Sequence, residues 1–191
     1  MSSSRVQFRT CFTAAVFTSA LLFSLGLAAQ QAPEPKVDDQ KVFDVIGIST
    51  RTTNAAEATG NGEIPKQWQR LFTDGILDRI PDRADESITA VYTDFANGAN
   101  GEYTYILGAK VKSGTKAPVG MVAVTVPAGK YLEFVTEKGP GAQVVSATWM
   151  QIYGYFQDPA HPQRSFKTDF ETYEPPSDPN AVQGHIFIGV K

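Results

Sequence analysis

The residues best suited to chemistry form one short run, Asp169-Phe170-Glu171-Thr172-Tyr173, in which carboxylates and a phenol recur at every second position. If the run is a strand, alternation puts Glu171 and Tyr173 on one face. Two phasings are open: Glu171 points inward beside tyrosines, or it is solvated and Phe170 is buried instead. An inward carboxylate is costly unless it is paired or ligand-bound, so the first phasing would mark a site. Other chemistries are poorly supplied. The only cysteine is Cys11, near the N-terminus, and the only imidazoles are His161 and His185. A thiolate nucleophile, a sulfur-ligated zinc, a histidine-rich metal cage and a Ser-His-Asp triad are therefore not expected. Glu34 with Asp38 and Asp39 reads as solvated linker, because ligands need a scaffold that fixes their geometry. His161 lies in a proline-rich loop and His185 in the last strand, and neither suggests a haem ligand. Gly98 and Gly101 belong to a turn that no helix follows, so they are no phosphate loop. No metal and no cofactor are expected, and any catalysis would rest on carboxylates and phenols.

Glu171 needs a frame to hold it, and the chain divides as follows. Arg5 and Arg9, an apolar run from Phe12 to Leu27, and Gly26 and Ala28 have the order of a secretory signal over residues 1–28. An exported bacterial protein, periplasmic or secreted, is expected. Thr13, Thr18, Ser19 and Ser24 interrupt a run already short for a spanning helix, so stable membrane insertion is not. Residues 29–41 are polar, carry two prolines and read as a linker, leaving one domain over 42–191. Beyond the leader, 15 of the 17 Lys and Arg remain against 20 Asp and Glu, a net charge of −5 that disfavours a nucleic-acid partner. With 42% hydrophobic residues, this domain can bury a core of its own.

Periodicity supplies the elements. A first strand starts near Val42, and a polar loop covers Thr52 to Glu63. A helix follows over 65–77, with Pro65 at its first position and Ile64, Trp68, Leu71, Phe72 and Ile76 as its stripe. Strands near Ser87–Phe95 and Glu102–Val111 flank the turn ANGANG as a hairpin. The second half repeats the plan: strand segments at Met121–Val126 and Lys130–Thr136 around Pro127-Ala128-Gly129, a helix near Val144–Gln157, and strands near Lys167–Tyr173 and Gly184–Val190. An offset of 81 pairs Trp68 with Trp149, Pro81 with Pro162, Arg83 with Arg164, Tyr92 with Tyr173, Gly108 with Gly189 and Lys110 with Lys191, without a gap. The expected fold is α+β: duplicated strand-helix-strand-strand units, an antiparallel sheet and two main helices about a pseudo-twofold axis. Side chains of both halves then converge on a groove, a common place for a small-molecule pocket. Trp68, Phe72, Tyr92, Tyr103, Tyr105, Tyr131, Phe134, Trp149, Tyr153 and Tyr173 could wall it, although aromatic stripes at helical spacing mostly serve packing.

The order of FDVIGISTRT, EIPKQWQRLF, VYTDFANGANGEYTYILGAKV, VPAGKYLEFVTEKG, WMQIYGYF and TDFETYEP resembles the GyrI-like small-molecule-binding domains. These are the effector-binding modules of AraC-type and some MerR-type regulators, found also as stand-alone proteins. The resemblance spans about Val42 to Lys191 and implies a pocket whose floor is the glutamate at position 171. It favours the inward phasing and gives the candidate ligand-binding set Glu171, Tyr173, Tyr92, Trp68, Trp149, Tyr105 and Tyr153. The implied partner is a small hydrophobic or cationic molecule, bound by aromatic stacking and the Glu171 charge. A rival implication is enzymatic, since some stand-alone relatives hydrolyse reactive electrophiles; Glu171 would then activate a water, with Tyr173 or Tyr92 donating to the leaving oxygen. A structural or protein-interaction module is the third reading. No DNA-binding segment accompanies the domain, so a role in transcription does not carry over.

Overall fold

The computed structural model describes residues 34–60, 62–174 and 180–191; the leader read over 1–28 lies outside them. The elements are β1 (Lys36–Gln40), β2 (Phe43–Thr53), α1 (Asn54–Glu57), α2 (Glu63–Thr73), a 3-10 turn (Leu77–Arg79), β3 (Ile88–Thr93), β4 (Glu102–Val111), β5 (Val122–Val126), β6 (Gly129–Val135), α3 (Gly141–Tyr155), β7 (Arg164–Tyr173) and β8 (Gly184–Val190). All eight strands join one antiparallel sheet in the order β1-β6-β8-β7-β3-β4-β2-β5. That order is symmetric about the β3/β7 pair, which carries the duplication into space: β2-α2-β3-β4 and β6-α3-β7-β8 are the two units.

Several sequence expectations are corrected. Residues 36–40, read as linker, form β1; the segment KVDDQ is polar because it is an outer strand with one face in solvent. The polar loop from Thr52 contains the end of β2 and the short α1. The helix expected over 65–77 starts at Glu63 and stops at Thr73, with Gly62 at the cap position, so Pro65 is its third residue. The segments around Pro127-Ala128-Gly129 do not pair with each other. β5 pairs with β2, while β6 pairs with β1 and β8. Each unit therefore lends its leading strand to the first strand of the other. Only Lys41 and Val42 separate β1 from β2, which lie near opposite edges of the open sheet, so the sheet curves enough to bring Gln40 near Phe43.

The gapless offset also needs amending. It holds for the helix stripes and for β4 against β8, but Leu107 and its counterpart Ile188 pair with Ala90 and Asp169, an offset of 79. On their other side the partners are Ile48 and Leu132, an offset of 84. Insertions and deletions between elements shifted the count without changing which face each side chain takes.

Alternation distributes the core over both faces of the sheet. Ile46, Ile48, Leu107 and Ala109 face the helices together with Leu71 and Ile76. Val45, Val91, Ile106, Val126, Tyr131, Phe170 and Phe187 fill the opposite face, and Leu132, Phe134, Ile186 and Ile188 pack under α3 with its Ile152. Tyr131 and Phe134, two of the possible pocket walls, are thus ordinary core.

Candidate functional site

β7 places Asp169, Glu171 and Tyr173 on the helix-covered face and Phe170 on the other. Of the two phasings left open by the sequence, the inward one holds for Glu171, and Phe170 is buried as well because both faces of this central strand are covered. Glu171 is only 1% exposed. The Tyr92 hydroxyl donates to its Oε1 at 2.9 Å, the Trp149 indole N–H to the same oxygen at 2.6 Å, and the Tyr173 hydroxyl to Oε2 at 2.6 Å. All three donors are neutral, and among the described residues Glu171 is in no ion pair. Burial pushes the Glu171 carboxyl above the usual range, and the three donors hold it back. Burial and the nearby Glu171 carboxylate push the Tyr92 and Tyr173 hydroxyls well up, so both remain donors.

A second buried carboxylate on the same face is already matched. Arg164 donates through Nη2 and Nε to Asp169 Oδ2 at 2.6 and 3.1 Å, and the Gly189 N–H donates to Oδ1 at 2.8 Å. Desolvation still raises the Asp169 carboxyl despite Arg164. The pairing of β7 with β8 is irregular between Arg164 and Asp169, and Phe166 within that stretch has φ of 52°. The irregularity brings Arg164 round to the cavity, its guanidinium lying 5.5 Å from the Trp149 ring centre and 5.6 Å from that of Phe95. Arg164 is thus matched by Asp169, and Glu171 has no cation opposite it among the described residues.

Above Glu171 opens a cavity of about 730 Å³. The helices wall it with side chains at matching repeat positions: Ile64 with Val145, Trp68 with Trp149, and Phe72 with Tyr153. The next stripe pair, Leu71 and Ile152, is fully buried beneath them. Trp68 stands edge-on to Tyr173 at 5.2 Å and Trp149 to Tyr92 at 5.3 Å, so each indole packs on a phenol that holds the carboxylate.

Six of the seven candidate residues, Glu171, Tyr173, Tyr92, Trp68, Trp149 and Tyr153, line this cavity. Tyr105 does not: it lies behind Tyr92, ring centres 5.1 Å apart, and is wholly enclosed. Alternation gives Tyr103 and Tyr105 the same face, but the residue two positions nearer the strand end, Tyr103, reaches the cavity. Sequence reasoning also missed Arg164, whose only signal was an arginine five residues before Asp169, and Glu57, which lies in a stretch read as loop. Glu57 accepts hydrogen bonds from the backbone of Glu63 at 2.9 Å and Ile64 at 3.2 Å and from the Thr52 hydroxyl, capping α2 from outside the helix. The histidines are engaged elsewhere, His161 with the Tyr155 carbonyl and His185 with Glu133. No cluster of three metal-binding side chains occurs among the described residues.

Comparison with known proteins agrees with this geometry. The profile of the integron-associated effector binding proteins, Cass2, matches residues 37–190. YobU of Bacillus subtilis (strain 168), which bears a transcriptional-regulator name, is 31% identical over 147 residues, 76% of this chain and 90% of YobU. The integron cassette protein VCH_CASS2 from the mobile metagenome of Vibrio cholerae superposes with a TM-score of 0.64 at 26% identity, over 83% of this chain and 96% of that one. SAV2435, solved bound to tetraphenylphosphonium, superposes with a TM-score of 0.68 over 83% of this chain and 94% of its own; at 17% identity this is a likeness of fold.

Proposed function

The chain belongs to the Cass2 family of integron-associated effector binding proteins, and on that premise we propose that it is an exported binder of hydrophobic monocations held over Glu171. The observation that carries the reading is a fully buried carboxylate at the floor of an aromatic cavity, with three neutral donors and, among the described residues, no cation paired with it. Such a group bears its desolvation cost until a positive charge arrives. The surrounding indole and phenol faces attract the same charge, and the apolar helix residues take the body of the ligand. Because Asp169 is matched by Arg164, the Glu171 charge is left for the ligand. The ligand of SAV2435 is a cation of this type. Export rests on the order of basic, apolar and small residues over 1–28.

The test uses two ions of one shape, tetraphenylphosphonium and tetraphenylborate. Calorimetry is expected to show binding of the phosphonium and little or none of the borate. Glu171→Gln keeps the shape of the side chain and removes its charge, and should weaken phosphonium binding by at least about tenfold. Equal phosphonium affinity in both proteins, or equal affinity of the wild type for the two ions, would reject the reading.

A further inference from the structure

The cavity contains a second polar feature that the Glu171 reading leaves unused. Tyr103 lines the cavity and is only 3% exposed, yet its hydroxyl makes no hydrogen bond to any described residue. Unlike the Tyr105 hydroxyl it is not sealed among protein atoms, so the space it meets is the cavity. Tyr103 belongs to the aromatic network on the cavity wall: its ring centre is 5.7 Å from that of Tyr92, which holds Glu171, and 5.7 Å from that of Phe95, against which Arg164 packs. A ligand atom that accepts from this hydroxyl takes the place of a cavity water in a largely apolar surrounding, for the modest net gain of one hydrogen bond. We propose that Tyr103 is a second recognition point of the cavity, and that the preferred ligands are monocations carrying a neutral oxygen acceptor, such as a carbonyl, on the aromatic body. This rests on the cation reading and narrows it.

The choice of a neutral acceptor follows from the surroundings. Burial, then Glu57, raise the Tyr103 hydroxyl, with Glu171 adding to the effect and Arg164 opposing it. The phenol therefore remains a donor in a field made negative by two carboxylates. A carboxylate on the ligand would meet that field, and Arg164 is already occupied by Asp169. An uncharged oxygen takes the hydrogen bond without the repulsion.

Three probes separate the possibilities: tetraphenylphosphonium, its para-acetylphenyl derivative and its para-carboxyphenyl derivative, titrated calorimetrically at about pH 8, where an ordinary carboxyl is ionised. The acetyl compound should bind the wild type about fivefold more tightly than the parent, the worth of one hydrogen bond, and the carboxyl compound more weakly than the parent. Tyr103→Phe removes only the hydroxyl; the acetyl advantage should vanish while parent affinity stays within about twofold. An acetyl advantage that survives Tyr103→Phe, no advantage in the wild type, or tightest binding of the carboxyl compound would each overturn the proposal. Parent binding that is lost in Glu171→Gln, with no acetyl advantage, defeats this proposal alone. Absence of binding by all three defeats the cation reading with it.

Discussion

Glu171 carries opposed demands, since burial disfavours its charge while the proposed ligand requires it. Its raised carboxyl sets the sign of two pH effects. A carboxyl raised by folding contributes stability that is fully present below its ordinary range and is lost as pH rises through the raised value. Glu171→Gln has no such group, so urea unfolding should find the variant at least as stable as wild type near neutral pH, with the difference falling as the solution is acidified. In the interval between the ordinary and the raised value, a cation that favours the ionised form should release a proton on binding, seen as a calorimetric heat that depends on the buffer. Tyr105 allows a simpler test. Its enclosed hydroxyl completes no hydrogen bond, although Trp68 lies beside it, and Tyr105→Phe should raise stability by about 1 kcal/mol. At this scale the sequence was legible where period alone decides. The two-residue alternation set Glu171 beside Tyr173, and the helical stripe set Trp68 and Trp149. It was silent on depth along a strand, which distinguishes Tyr103 from Tyr105, and on the β7 irregularity that brings in Arg164.

The weak point among the elements is the start of α2. Its cap residue, Gly62, has no side chain, and the cap is supplied by Glu57 reaching over from α1. A Cβ at position 62 would collide with the Glu57 carboxyl group, so the glycine and the glutamate form one device. Glu57→Ala should cost about 1 to 2 kcal/mol, as the loss of an N-cap does. Gly62→Ala should cost a similar amount by displacing the same carboxylate, and the double variant should cost less than the sum of the two in thermal melts. Ligand affinity should fall as well, since Ile64 and Trp68 ride on this helix. None of this was legible, because a cap from outside the helix leaves no Ser, Thr, Asp or Asn at the cap position. The strand β4, in contrast, falls on the predicted residues Glu102–Val111, its apolar run being bounded by a glycine-rich turn. β1 was unreadable for a further reason: its stabilising partners, Gly129–Glu133, lie in the other half of the chain.

At the scale of the molecule, the exchange of leading strands makes each half incomplete without the other. Removing residues 1–40 would leave β6 with an uncovered edge. A chain starting at Lys41 should lose about 2 to 4 kcal/mol, the worth of a few ladder hydrogen bonds, and should self-associate through that edge. Denaturant melts and light scattering read the two effects separately. The same exchange also sets the order of events during synthesis. β1 is among the first described residues to be made, yet Lys36 pairs with Glu133, almost a hundred residues later. The growing chain can close α2 onto its neighbours early, but it cannot complete the sheet until the second half has been made. Under the proposed export, in which the chain would pass a membrane pore unfolded, this late closure would act as a timer: the chain would remain threadable for most of its synthesis, and its last strands would fix the fold afterwards.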